Sequence, residues 1–148
     1  MRCGLPVIAL TLWASLAAAE PLRVVAAPDA VTLTLADGRT ITLDGLLAPS
    51  PHDDGDAPGA DRAAAAAHAA LLQAAVGREA TLIPLLDAPD RWGRTPADVI
   101  RADDGAWLQG LLLAEGHARI EACPRGDDAR LARLRRAEAG ARNAGRGL

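Results

Sequence analysis

Val31-Thr-Leu-Thr-Leu-Ala-Asp-Gly-Arg-Thr-Ile-Thr-Leu43 is the stretch on which the fold turns. Val31, Leu33 and Leu35 alternate with threonine, and Ile41 and Leu43 repeat the pattern after Asp37-Gly38. A period of two marks strands with one apolar face, and an Asp-Gly pair between two such runs marks a hairpin. Leu46 and Leu47 prolong the second strand until Pro49 and Pro51 stop it, because proline cannot donate to a ladder.

Beyond the hairpin, His52 to Asp61 is rich in Asp, Gly and Pro and reads as a surface loop. Asp61 is an N-cap candidate for an alanine-rich helix to about Ala75, with Gly77 past its end and an apolar stripe of Ala64, Leu71, Leu72 and Ala75. Ala80 to Leu86 returns to strand character, and Pro89 and Gly93 bracket a loop. Ala97 to Ala102 is another strand, turned by Asp103-Asp104-Gly105. A short helix from Trp107 to Glu115 ends at Gly116, and His117 to Ala122 is a last strand. Asp127 to about Asn143 is an amphipathic helix with Leu131 and Leu134 inward and arginines outward. These elements predict an α+β, mainly β fold. The expected form is a five-stranded Greek-key barrel of the OB type, with a helix between strands 3 and 4 and C-terminal helices.

At 148 residues and 50% hydrophobic, the chain supports one domain, expected over residues 20–148. Residues 1–19 are expected to be a signal peptide. Arg2 supplies the positive start, Leu5 to Leu16 the apolar run, and Ala17-Ala18-Ala19 the cleavage site. Its removal takes Cys3 and leaves Cys123 as the single cysteine, so no intramolecular disulfide forms. A periplasmic or secreted protein with no membrane span follows. The net charge of −3 becomes about −4 without Arg2. All 16 basic residues are arginines, yet the acidic balance counts against non-specific nucleic-acid binding.

Three segments carry a family likeness: Asp90-Arg-Trp-Gly-Arg94, Trp107-Leu-Gln-Gly-Leu-Leu-Leu-Ala-Glu-Gly-His-Ala-Arg-Ile120 and Arg136-Ala-Glu-Ala-Gly-Ala-Arg142. Their order resembles the thermonuclease (staphylococcal-nuclease-like) family, over Val31 to Arg142. The resemblance implies an OB-type barrel that hydrolyses phosphodiesters in nucleic acid. That chemistry needs cations on the phosphate, an oxygen-bound metal ion and a carboxylate that handles water. By resemblance, Arg94 is the loop arginine that contacts the scissile phosphate, and Trp92 stands where the family usually has tyrosine. Asp29 falls at the second metal-binding Asp, but Ala27-Pro28-Asp29-Ala30 replaces the usual Asp-Gly-Asp-Thr.

The third strand of the family normally ends Arg-Leu-x-Gly-Ile-Asp-Ala-Pro-Glu. Here it reads Thr42-Leu-Asp-Gly-Leu-Leu-Ala-Pro-Ser50. Thr42 therefore stands for the first catalytic arginine, Leu47 for a metal ligand and Ser50 for the glutamate. Leucine cannot ligate a hard cation, and an unperturbed serine is no carboxylate base near neutral pH. Asp44 shares the face of Thr42 and lies opposite Leu47 if the strand stays regular.

Other residues have plainer readings. The Asp53, Asp54 and Asp56 loop is a solvated acidic segment or a source of one substitute carboxylate, and His52 with it matches no metal-ligand spacing. His117 reads as partly buried, His68 as an exposed helix edge and Cys123 as an inert thiol. Arg130, Arg133, Arg135, Arg136, Arg142 and Arg146 read as a solvated helix face before a nucleic-acid patch. Trp92 serves either to stack a base or to cap the barrel, and Arg94 can pair with Asp87, Asp90 or Asp98.

The expectation is an exported thermonuclease-like protein with lost or much reduced phosphodiesterase activity, needing no cofactor and acting as a binding or scaffold module. One alternative is an active secreted endonuclease that uses Ca²⁺, Arg94, Asp29 and a carboxylate from the Asp53–Asp56 loop. The other is a non-enzymatic nucleic-acid binder with salt-sensitive affinity. Partner and oligomeric state stay open.

Overall fold

The computed structural model describes residues 20–50 and 59–146. The expected signal peptide, His52, and the Asp53, Asp54 and Asp56 loop lie outside them. The elements run β1 (Leu22–Ala26), β2 (Thr32–Leu35), β3 (Thr40–Leu43), β4 (Leu46–Leu47), α1 (Ala60–Ala75), β5 (Glu79–Pro84), β6 (Arg94–Arg101), α2 (Leu108–Ala114), β7 (Arg119–Ile120) and α3 (Asp128–Asn143). The fold is α+β, with a mixed five-stranded sheet and three helices among the described residues. None of these helices is long and apolar enough to cross a membrane.

The β2–β3 hairpin forms as its alternation dictates. Thr32, Leu33 and Thr34 face Thr42, Ile41 and Thr40, while Leu33, Leu35, Ile41 and Leu43 are buried. The sheet order is β1-β2-β3-β6-β5, with β5 also paired to β1. Only the β3–β6 pairing is parallel, placing Thr40 beside Arg94 and Leu43 beside Ala97. One helix, α1, lies between the third and fourth strands of this sheet in chain order, as expected.

Membership of the sheet differs from the expectation. Leu22–Ala26 was not expected as a strand, and only Val24 of its five residues is buried. Its one inward side chain left no alternation to read. The expected His117–Ala122 strand shrinks to Arg119–Ile120 and pairs with Leu46–Leu47 in a separate ladder. The second hairpin strand does not run through to Leu47, because a turn at Asp44-Gly45 breaks it. Gly45 has φ 84, and a Cβ there would sit 3.1 Å from Leu134 Cδ1 and 3.3 Å from Arg130 Nη1. Both the left-handed backbone and the close approach of α3 require glycine.

Helix ends moved by short distances. Gly59, not Asp61, is the N-cap of α1, and Asp61 sits in the first turn. Its inward stripe is Ala64, Ala67, Leu71, Ala74 and Ala75, leaving Leu72 exposed. Asp127 caps α3 by accepting from the Arg130 N–H at 2.8 Å.

Buried polar side chains complete the core. Past Leu43, β6 loses its β3 neighbour, and buried Gln109 of α2 takes over. Its Nε2 donates to Ala97 O at 2.7 Å and its Oε1 accepts from Val99 N–H at 3.2 Å. Arg130 is the larger correction, since the sequence pattern put it on a solvated face. It is buried with Asp98 and Asp44. Its Nε and Nη2 reach Asp98 at 2.8–3.1 Å, Nη2 donates to Asp44 O at 2.9 Å, and Nη1 donates to Arg125 O at 2.6 Å. Arg125 in turn pairs with Asp44 and donates its N–H to Asp44 Oδ2 at 3.1 Å.

Glu121 borders this cluster, accepting from Gly45 N–H at 3.2 Å. Burial and then the Asp44 charge push its carboxyl above the ordinary 4.5, against the Gly45 bond and the Arg125 and Arg130 charges that pull it down. A raised carboxyl binds its proton more tightly when folded, so its ionisation costs stability as pH rises from about 4.5 through the folded value. Glu121→Gln keeps the acceptor and removes the charge. Urea denaturation should show the variant gaining on the parent as pH rises from 4 to 7, with little difference at pH 4.

Candidate functional site

Arg94 is the first residue of β6, one step further into the sheet than its reading as a loop end. The turn before it is organised by Asp90. The Asp90 Oδ1 accepts from the N–H groups of both Trp92 and Arg94 at 2.9 Å, and Asp90 N–H donates to Arg94 O at 2.7 Å. The Arg94 Nε and Nη2 both lie 3.0 Å from Asp90 Oδ2. Of the three carboxylates offered by the sequence, Asp90 is the one that Arg94 pairs with. Desolvation pushes the Asp90 carboxyl up, but the Arg94 and Trp92 N–H donors and the Arg94 guanidinium outweigh it and hold it below the usual range.

Trp92 projects from this turn at 63% exposure and does not cap the core. The Arg91 guanidinium carbon lies 3.9 Å from its ring centroid and that of Arg94 4.8 Å. The indole is thus already engaged by two cations.

Asp29 lies elsewhere, in the β1–β2 connection. Its Oδ1 accepts from Val31 N–H at 2.8 Å. With Pro28, Val31, Pro49 and Ser50 it lines a cavity of about 570 Å³ closed on one side by Asp61, Ala64, Ala65 and His68 of α1. Arg94, Trp92, Thr42 and Leu47 are not in its lining. Leu47 is 57% exposed on β4, and Thr42 is half-buried on β3. The Thr42 Oγ1 is buried with no hydrogen-bond partner among the described residues.

Asp29 and Ser50 therefore line one cavity, and neither Arg94 nor Trp92 is part of its lining. One Asp29 oxygen is committed to Val31 N–H, and among the described residues no group of three His, Cys, Asp or Glu could hold a metal ion.

Sequence reading missed two residues of the cavity. His68 is half-buried, not at an exposed edge, and its Nε2–H donates to Ala27 O at 2.7 Å, pinning the β1–β2 connection to α1. Asp61 faces the cavity in place of capping. The signal for both was present, since Asp61, Ala64, Ala65 and His68 repeat at three- and four-residue steps along one helix face. His117 is partly buried as read, beside Glu115, and Cys123 is exposed and free.

The C-terminal arginines divide as well. Arg130 is buried, Arg133 stacks on Trp107 at 4.2 Å and Arg142 pairs with Glu138 at 3.1 Å. Half of the six are thereby committed, which shrinks the patch available to a nucleic acid.

Compared with known proteins, the chain matches no family model and no curated protein.

A buried hydroxyl without a partner costs about 1–3 kcal/mol. Thr42→Val removes it at constant shape, and thermal or urea unfolding should show a gain of about 1 kcal/mol. A loss of that size would mean that the hydroxyl is satisfied and the site is polar.

Proposed function

We propose that this chain is an exported protein of thermonuclease-like, Greek-key OB-barrel type that has given up phosphodiester cleavage and works as a binding module. The sheet order, its single parallel β3–β6 pairing and the helix between the third and fourth sheet strands support that architecture. The Asp90-Arg-Trp-Gly-Arg94 motif at the mouth of β6 supports the ancestry.

The observation that carries the loss of cleavage is the commitment of Arg94 to Asp90. A guanidinium that stabilises a pentavalent phosphate must leave donors for the charge that develops there. Here its Nε–H is bound to Asp90 and its Nη2 lies 3.0 Å from the same carboxylate, so its charge is already partly neutralised by a group that the turn fixes. Thr42, neutral and half-buried, and Leu47, a hydrocarbon, cannot compensate.

What remains suited to a ligand is the cavity beside Asp29. At about 570 Å³ it falls within the range of small-molecule sites. Its walls are mainly apolar, with Asp29 and Asp61 as the charged groups and His68 as the hinge to α1. Such a lining selects a small apolar molecule with a donor or cationic group, and disfavours a polyanion.

The test is cleavage of single-stranded DNA and RNA by the purified protein, with and without Ca²⁺. The expected outcome is no turnover above background and no difference between the parent and Arg94→Ala. Calcium-dependent cleavage that disappears in Arg94→Ala would overturn the reading.

A further inference from the structure

A second cavity, of about 310 Å³, lies on the face formed by the end of α2, β7 and the last turns of α3. Three of its lining residues are arginines: Arg119 from β7, Arg142 from the last turn of α3, and Arg146 beyond it. We propose that this cavity is a binding site for a phosphate monoester carrying a compact apolar body.

Its backbone frame follows from the sequence. Gly145, at φ 64, ends α3 in the left-handed turn that L side chains rarely adopt. Gly145 N–H donates to Arg142 O at 3.1 Å and Arg146 N–H donates to Ala141 O at 2.9 Å. These paired bonds fold the chain back over the helix end and fix the backbone of Arg146 beside Arg142.

Glu138 then sorts the charges. Its Oε1 accepts from Ile120 N–H and its Oε2 from Arg142 Nη2, both at 3.1 Å. The carboxylate thus joins β7 to α3 and holds Arg142 in place, with both oxygens used. Among the described residues, Arg119 and Arg146 make no side-chain hydrogen bond or ion pair. Arginines near a helix C-terminus are ordinary partners of the helix dipole. That accounts for Arg142 and Arg146 but not for Arg119, which belongs to a strand.

Three guanidiniums against one carboxylate leave a surplus of two positive charges on a chain whose net charge is −3. A phosphate monoester carries close to two negative charges near neutral pH, and planar guanidiniums match its oxygens in pairs. Leu113, Ala118 and Ala141 lie beneath the rim at 5% exposure or less, so only their edges meet the body of the ligand while the rim holds the phosphate.

The test is titration calorimetry on the full chain at fixed ionic strength, with phenyl phosphate and inorganic phosphate as probes. Phenyl phosphate should saturate one site and bind several-fold tighter than inorganic phosphate. Arg119→Gln and Arg146→Gln should each weaken it about tenfold, the scale of a lost charged hydrogen bond. Arg135→Gln, exposed on the same helix and outside the cavity, should leave affinity unchanged. Arg119→Lys, which keeps the charge and loses the fork, should also weaken binding and serves as the milder variant if Arg119→Gln does not fold. No saturation at about 10 mM phenyl phosphate would overturn the site. So would variants that all leave the isotherm unchanged or all weaken it alike. Equal affinity for the two probes would overturn the assignment to a monoester.

Discussion

The buried guanidinium of Arg130 is the contact on which the rest of the structure depends. It reaches β6 through Asp98, the β3–β4 turn through Asp44 O, and the segment before α3 through Arg125 O. Three parts of the chain far apart in sequence are fixed by one planar group. The apolar contacts of α3 are fewer. Of its sixteen residues, Leu134 and Ala141 are the buried hydrophobic ones. A buried leucine contributes about 2 kcal/mol and an alanine less. A lone helix of this length is marginal in water. The charge cluster therefore decides whether α3 docks, because any partner removed leaves another charge buried and unpaired.

The same constraint shapes both cavities. Docking α3 against Gly45 forces the turn at Asp44-Gly45, and that turn ends β3 and sends Leu46–Leu47 to pair with β7. Leu47 is then exposed. Beyond it, Pro49 and Ser50 reach the cavity beside Asp29. At the other end of α3, the pairing of Glu138 with Ile120 and Arg142 assembles the basic cavity. Arg94 lines neither cavity and sits in a turn organised by Asp90 and by Gly93 at φ 76.

Much of this fold was legible in the sequence. Period-two alternation located β2 and β3, and glycines marked the ends of α1 and α2 with errors of a residue or two. Strand β1 was hidden because its single inward residue, Val24, leaves no periodic signal. The Asp44-Gly45 turn carried the same dipeptide as Asp37-Gly38, but apolar residues on both sides made the strand look continuous. Burial of Arg130 was illegible for a deeper reason. Its partners are 32 and 86 positions away, and no local pattern pairs a helix arginine with a strand aspartate. At the site, the expected gaps at Thr42, Leu47 and Ser50 rest on residue identities alone. That Arg94 does not line the cavity of Asp29 required coordinates, since it depends on which strand ends lie together.

The most direct measurement is a double-mutant cycle on Arg130 and Asp98, read by urea unfolding at neutral pH. If buried charge docks α3, Arg130→Met costs about 3–5 kcal/mol, and adding Asp98→Leu recovers about 2 kcal/mol or more of that loss. A loss below about 1 kcal/mol for Arg130→Met, or strictly additive single effects, would contradict the account, because apolar contacts alone would then hold the helix.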